Sequence, residues 1–550
     1  MNHKNVPNWA ENEFGPNFKM REDTYTAYDI DNPGARFLQQ SLIKNVVPKM
    51  AGKQYSKLGY MLVNEPHFFT QDEGKKKTWA SGPVSNYTID KFKLWLKNKH
   101  KSINQLNKLW KSEFKNFDAI TIDIPIHINQ KGTPKWYDWN LFNMNRVTEW
   151  YSFLKTEITK YDPEANVHLK IMPNLWTENK RSHGIDLEAL TDLGGIIGND
   201  SGAAHTYIWG KPHDWEKHYI FEWRELCMGY DFMKSVSPNK INFNSELHYL
   251  STVRSRKLDL DPKYARASFW LAHSYGMTAS QIWYWPREAN GAISKKALND
   301  KGYAGSNNQQ PRVTNEVATT LIDLNTFSEE IMAMQRQRKS LRIFYSKTAA
   351  INKKQHMDDV FELYESLNFE GTPIGFVTEN IIKKQDHKNW DVVLIHKTEF
   401  ITNTELKALQ SYLNTGGTII VDEVSLTKDE YGNPHQKLLK GQGNLIVVNN
   451  LDAYKSEALS ILESKNLLSE INITETNKIG VKGCIWKVVK NSSGNYTLSV
   501  VNVGKSNATL NITLKGANTI VCKDLINGVA VSTTPTLKPN EVYFVEVSKK

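Results

Sequence analysis

A chain of 550 residues, 40% hydrophobic and 23% charged, has the composition of a folded globular protein and the length for about three domains, a long α/β barrel among them. Its net charge of +10 comes from 69 basic and 59 acidic residues that interleave along the chain. The densest basic run, Lys75-Lys76-Lys77, is short, so the excess reads as a solvated surface rather than a nucleic-acid partner and leaves an acidic or sulfated glycan open. Cys227, Cys484 and Cys522 are too far apart for a disulfide framework or a cysteine metal site, no apolar run reaches transmembrane length, and no basic-then-apolar leader opens the chain.

Residues 58–63 (LGYMLV) predict a strand that Asn64-Glu65-Pro66 terminates. Residues 89–99 predict an amphipathic helix with Ile89, Phe92, Leu94, Trp95 and Leu96 near one face. Residues 138–161 predict a long helix with Trp139, Phe142, Val147, Trp150, Tyr151 and Leu154 inward. Strands follow at 167–172, ending at Pro173-Asn174, and at 195–198, ending at Asn199-Asp200. A helix at 221–236 leads to a strand at 240–244 that ends at Ser245-Glu246, then a helix at 265–275 and a strand at 280–285 (SQIWYW). This alternation predicts a parallel sheet with helical crossovers, hence a (β/α)8-type barrel over residues 1–335.

Residues 336–455 predict a flavodoxin-like, doubly wound α/β domain, with strands at 341–345, 390–395 and 418–422 and helices at 358–367 and 404–414. Gly416-Gly417 reads as a helix C-terminal turn, and without G-x-G-x-x-G no nucleotide is expected. Residues 456–550, with alternating runs at 485–489, 496–503, 509–514 and 542–547, predict a small antiparallel β-sandwich.

Barrel enzymes keep their chemistry at the C-terminal ends of strands, where Glu65 and Glu246 fall. Cleaving a glycosidic bond takes two carboxyls in different environments, one protonated to assist the leaving oxygen and one ionised to attack the anomeric carbon. Glu65 stands beside His67-Phe68-Phe69, an apolar run expected to raise its pKa, and Asn64 is suited to the sugar's 2-hydroxyl. A single strand-end glutamate is as readily an ion-pair partner; two of them, roughly 180 residues apart in one βα series and followed by an aromatic strand, are the stronger signal. Sixteen Trp and 23 Tyr fill cores as well as stacking on sugars, so Trp283 is read as barrel packing and Trp285 as a stacking platform, with Arg287 beside it. His67, Asn174, Asp200, His205 and His248 are further substrate-binding candidates, and His168 is read as a core residue. Glu246-x-His248 has metal-pair spacing but no third ligand, so no metal is expected.

The segment LGYMLVNEPHFF, the following Trp95, Leu96, Lys99, His100, Ser102, Ile103, Leu106, Asn107 and Trp110, and the helix WNLFNMNRVTEWYSFLKTEI together resemble family 42 glycoside hydrolases, the bacterial β-galactosidases. FNSELHY and ASQIWYW look like that family's seventh and eighth barrel strands. The resemblance implies Asn64 and Glu65 as the Asn–acid/base pair, Glu246 as the nucleophile, retention of anomeric configuration, no cofactor, and a homotrimer assembled through the doubly wound domain. In the family the Asn-Glu pair follows three βα units; here 64 residues precede Glu65 and residues 1–50 hold no three-strand series, so the first barrel strands are expected to be missing from this chain. The expected activity is exo-release of terminal β-linked galactose, or a related β-hexose, from an oligosaccharide. β-Mannosides or algal galactans are the alternative substrates, and a non-catalytic carbohydrate-binding protein is the alternative of another class. A soluble protein is expected, without nucleic acid or membrane as partner; whether it is cytoplasmic or periplasmic is left open.

Overall fold

The computed structural model describes residues 3–20, 25–72, 82–202, 214–247, 261–282, 289–292, 311–438 and 440–550. Helices α1 (Asn8–Phe14) and α2 (Pro33–Met50) occupy the first 50 residues, and among the described residues no strand precedes β1 (Tyr60–Asn64). After β1 come α3 (Asn86–His100), which covers the helix expected over 89–99, and α4 (Ile103–Trp110); Lys101 takes a left-handed conformation at φ 60° and ends the first. Phe92 and Leu96 of α3 are buried as expected, but Leu94 is 57% exposed, on the opposite side of the helix. Next comes α5 (Pro134–Thr159), which starts on a Thr133 side-chain cap with proline at its first position and buries all six residues read as inward.

Then follow β2 (Val167–Lys170), α6 (Leu187–Leu193), β3 (Ile197–Asn199), α7 (Arg224–Val236), β4 (Asn242–Leu247), α8 (Pro262–Tyr275) and β5 (Ala279–Ile282). The five strands run parallel in chain order. Tyr60 pairs with Val167, an Ile171–Asn199 bridge links β2 to β3, Ile197 pairs with Asn242, and Phe243 pairs with Ala279. Parallel, in-order strands bring all their carboxyl ends to one rim, which is where Glu65, Lys170, Asp200 and Glu246 lie. The strand ending at Glu246 differs from its sequence reading: β4 continues to Leu247, so Glu246 belongs to the strand, at a register break between Asn244 and Leu247. Such irregularities re-aim side chains beside functional sites.

Strands β6 (Leu341–Phe344), β7 (Ile374–Val377), β8 (Val392–Ile395), β9 (Thr418–Val421) and β10 (Asn444–Val447) form a second parallel sheet in the order β10-β9-β8-β6-β7, the doubly wound 2-1-3-4-5 order. The tail is antiparallel: Ile471–Thr476, Ala508–Leu514 and Thr536–Leu537 make one sheet, and Cys484–Lys490, Tyr496–Asn502, Val542–Lys549, Ile520–Asp524 and Ala530–Val531 the other. Leu498, Val500, Leu510, Ile512 and Val545 pack in the core they share. The three parts are tied together. Asp231 of α7 accepts from Lys339 and from the Tyr364 hydroxyl at 2.7 Å, and Trp270 of α8 donates to Ser499 Oγ at 2.9 Å. No helix among the described residues is long and apolar enough to cross a membrane.

Candidate active site

The apolar run Met61-Leu62-Val63 carries β1 through the core, and Pro66 stops it. Between them Glu65 adopts φ 45°, a left-handed conformation that a side chain with a Cβ takes only when its surroundings impose it. They do: the Glu65 amide donates to the Lys170 carbonyl at 2.9 Å, and His67 Nδ1 donates to the Glu65 carbonyl at 2.7 Å. His67 is itself buried and stacks on Tyr25, with ring centroids 5.2 Å apart.

Lys170 ends β2 opposite Asn64 in the register. Its side chain is 2% exposed, and its ammonium contacts Glu65 Oε1 at 3.0 Å and Glu246 Oε2. Two oxygens hydrogen-bonded to one nitrogen lie within roughly 6 Å of each other, so Glu65 and Glu246 face a single small space. Both carboxyls keep a share of solvent exposure, 17% and 18%. Glu246 is braced from behind: its amide donates to Asn244 Oδ1 at 3.2 Å, and Asn244 Nδ2 donates to the Ser201 carbonyl at 2.7 Å and to the Tyr230 hydroxyl at 3.1 Å.

The protonation of Glu65 is the reverse of its sequence expectation. Burial pushes the carboxyl up, as Phe68 and Phe69 suggested, but the Lys170 charge and hydrogen bonds from Tyr25 (2.5 Å), Lys170 and Asp200 outweigh it and hold Glu65 below the usual carboxylate range. Asp200 takes the opposite course. Burial, and then the Glu65 charge beside it, push its carboxyl far above the usual range. Asp200 sits just past β3, its amide donating to the Ile171 carbonyl at 3.1 Å, and its carboxyl shares a hydrogen bond with Glu65.

Of the residues singled out from the sequence, Glu65, Glu246 and Asp200 therefore meet around Lys170, with half-buried Asn64 alongside and His67 beneath. Asn174 opens a short helix (Asn174–Thr177) four residues beyond Lys170, its Oδ1 buried without a partner among the described residues. His168 is a buried core residue, edge-on to Phe243, and burial lowers it to about 4. His205, His248, Trp283, Trp285 and Arg287 lie outside the described residues. Sequence reading passed over Lys170 and Tyr25. Lys170 did leave a signal: a lysine closing a strand whose other residues are apolar or aromatic, level with Asn64 in the series. Tyr25 precedes any strand or helix pattern that would have marked it.

The profile of glycoside hydrolase family 42, described as beta-galactosidase, matches residues 46–321. Among solved structures, the apo exo-carrageenase of that family from Bacteroides ovatus superimposes with a TM-score of 0.94 at 47% identity, over 100% of this chain and 74% of that one. The β-galactosidase of Bacillus circulans sp. alkalophilus reaches 0.70 at 13% identity, over 99% of this chain and 88% of its own. That of the Antarctic haloarchaeon Halorubrum lacusprofundi gives 0.70, also at 13%, over 99% and 88%. No curated protein sequence matches the chain. The five described strands run parallel in chain order and gather Glu65, Asp200 and Glu246 at one rim, as the strands of α/β-barrel enzymes do. The chain belongs to glycoside hydrolase family 42, whose profile spans half of it and whose fold its neighbours share from end to end.

Proposed function

We propose that this chain is an exo-acting, retaining glycosidase that removes terminal β-linked galactose from sulfated galactans of the carrageenan type. Glu65 is its acid/base and Glu246 its nucleophile. The observation that carries the mechanism is the single ammonium touched by both carboxylates. Bounding their nearest oxygens to roughly 6 Å of each other, it favours a retaining pair, whose carboxyls stand about 5–5.5 Å apart, over the wider gap that leaves room for a water in inverting enzymes. Glu246 attacks the anomeric carbon while Glu65 protonates the departing oxygen; Glu65 then takes a proton from the water that releases the sugar. The substrate class rests on the 47% identity with an exo-carrageenase, and the net charge of +10 is compatible with a polyanionic sugar. Assembly as a homotrimer belongs to the same reading and is checked by light scattering on the purified chain.

The test is a proton NMR time course with carrageenan oligosaccharides and, in parallel, neutral β-galacto-oligosaccharides. The reading expects the β-anomer to appear first, released from the chain end, with the sulfated substrate turned over faster. First appearance of the α-anomer removes the retaining mechanism, preference for the neutral sugar removes the substrate class, and binding without turnover of either makes the chain a carbohydrate-binding protein.

A further inference from the structure

Four consecutive strands each deliver one ionisable group to the same point: Glu65 from β1, Lys170 from β2, Asp200 from β3 and Glu246 from β4. A retaining mechanism assigns work to two of these. Lys170 creates a difficulty for one of the two. An ammonium at 3.0 Å from Glu65, with the Tyr25 hydroxyl donating at 2.5 Å, stabilises the carboxylate when the reaction calls for the acid. Somewhere beside Glu65 a proton has to be kept, and the only carboxyl among the described residues that hydrogen-bonds it is Asp200.

We propose that Asp200 is a positioning residue of the glycosidic reaction, hydrogen-bonded to Glu65 and holding the one proton that Glu65 delivers, while Lys170 keeps that proton off Glu65 until substrate occupies the cleft. The inference rests on the acid/base role proposed above for Glu65. In the free protein the proton is on Asp200 and Glu65 is ionised against Lys170. When the glycosidic oxygen arrives, the Asp200 O–H bond breaks and a Glu65 O–H bond forms; Glu65 then passes the proton to the leaving oxygen as the C–O bond breaks. Asp200 is left ionised facing Lys170. The water that opens the glycosyl-enzyme bonds the anomeric carbon as the bond to Glu246 breaks and gives one proton to Glu65; that proton passes on to Asp200, and the pair returns to its starting state, with proton count and charge balanced.

The surroundings of Asp200 hold it neutral from several sides. Burial comes first, and the Glu65 charge facing Asp200 from β1 adds to it; Lys170 on β2 is the opposing positive charge, and buried Glu225 of α7 lies near, with Glu222, just ahead of that helix, beside Glu225. Glu225 is pushed well above its usual range by burial and then by Asp200 itself. It is fixed through the Gly202 amide, which donates to Glu225 Oε1 at 3.3 Å, two residues from Asp200. Two like-charged carboxyls in hydrogen-bond contact share a single proton, and the pair titrates as a unit.

The experiment is the pH profile of kcat/KM for the full chain and for Asp200→Asn, Asp200→Glu and Glu65→Gln, on aryl glycosides with good and poor leaving groups. Asp200→Asn keeps a hydrogen-bond donor to Glu65 but no transferable proton, so the proton must sit on Glu65 itself. The alkaline limb is expected to move down by one pH unit or more, a loss of about tenfold or greater above the limb, with activity at the acidic end within a few-fold of wild type. Asp200→Glu restores the limb in part. A drop by the same factor at every pH in Asp200→Asn, or an unmoved limb in both variants, overturns the proposal. Glu65→Gln separates this from the reading beneath it. If poor leaving groups lose no more rate than good ones, the acid/base assignment itself fails; if they do lose more and the Asp200 limb stays put, only the proton-sharing role falls.

Discussion

Lys170 is a buried cation held by two carboxylates, and its removal has a sign that can be worked out. Glu65 lies below its unfolded value, so it contributes stability that is present above the ordinary carboxylate range and fades as pH falls through the folded value. Lys170→Met removes the largest favourable part of that contribution and leaves Glu65 and Glu246 facing each other without the ammonium. The variant is expected to be less stable than wild type by about 1–3 kcal/mol near pH 7, with the gap closing toward pH 4 as the carboxylates take up protons. Chemical denaturation at the two pH values checks it; a gap that does not shrink on acidification contradicts the linkage. The glutamates were legible because a strand that runs into Asn-Glu-Pro or Ser-Glu leaves an acid at a barrel rim. Their protonation was not, because it is set by Lys170, Tyr25 and Asp200, which reach Glu65 from 105, 40 and 135 positions away in the chain.

At the scale of elements, β3 is placed by a close approach. A Cβ on Gly198 would lie 2.3 Å from the Leu169 carbonyl oxygen and 2.9 Å from His168 Nδ1, so only glycine lets β3 lie against β2. Gly198→Ala is expected to cost about 1–3 kcal/mol and to lower kcat, since Asn199 and Asp200 follow directly. Thermal unfolding and steady-state kinetics read the two effects, and an alanine variant with wild-type values of both would remove the constraint. A smaller effect belongs to the second sheet: Thr402 and Glu405 close a reciprocal capping box on the helix Asn403–Asn414, and Thr402→Ala should cost about 1 kcal/mol in stability while leaving kcat/KM unchanged. Long amphipathic elements such as α5 were plain from their spacing. The end of β4 was not, because Asn242-Phe243-Asn244-Ser245-Glu246 mixes polar side chains into a strand, as inward-facing barrel residues do. Residues 374–377 (IGFV) and 444–447 (NLIV) escaped notice as strands because four residues with no alternation carry little periodic signal.

Across the whole molecule, the parts are joined through buried polar contacts as well as apolar ones. Asp231 lies on α7 of the barrel, Lys339 on the connection that follows, and Tyr364 on a helix of the second sheet's layer. Asp231→Ala strands the nearly buried Lys339 ammonium and is expected to destabilise the chain by about 3–5 kcal/mol with little change in KM, measured by denaturant unfolding beside steady-state kinetics. The order of the parts along the chain could be read because the pattern of alternation changes near residues 340 and 470. The way they pack could not, since Asp231, Lys339 and Tyr364 sit in separate segments and each alone looks like an ordinary surface residue.

The central claim is that two acids held on one lysine act on opposite sides of the same sugar. A mechanism-based 2-deoxy-2-fluoro-β-galactosyl fluoride traps the covalent intermediate of a retaining enzyme, and peptide mass spectrometry locates the bond. The account predicts one adduct, on Glu246, accumulating in the wild type and absent from Glu246→Ala. An adduct on Glu65, Asp200 or any other carboxylate would contradict it.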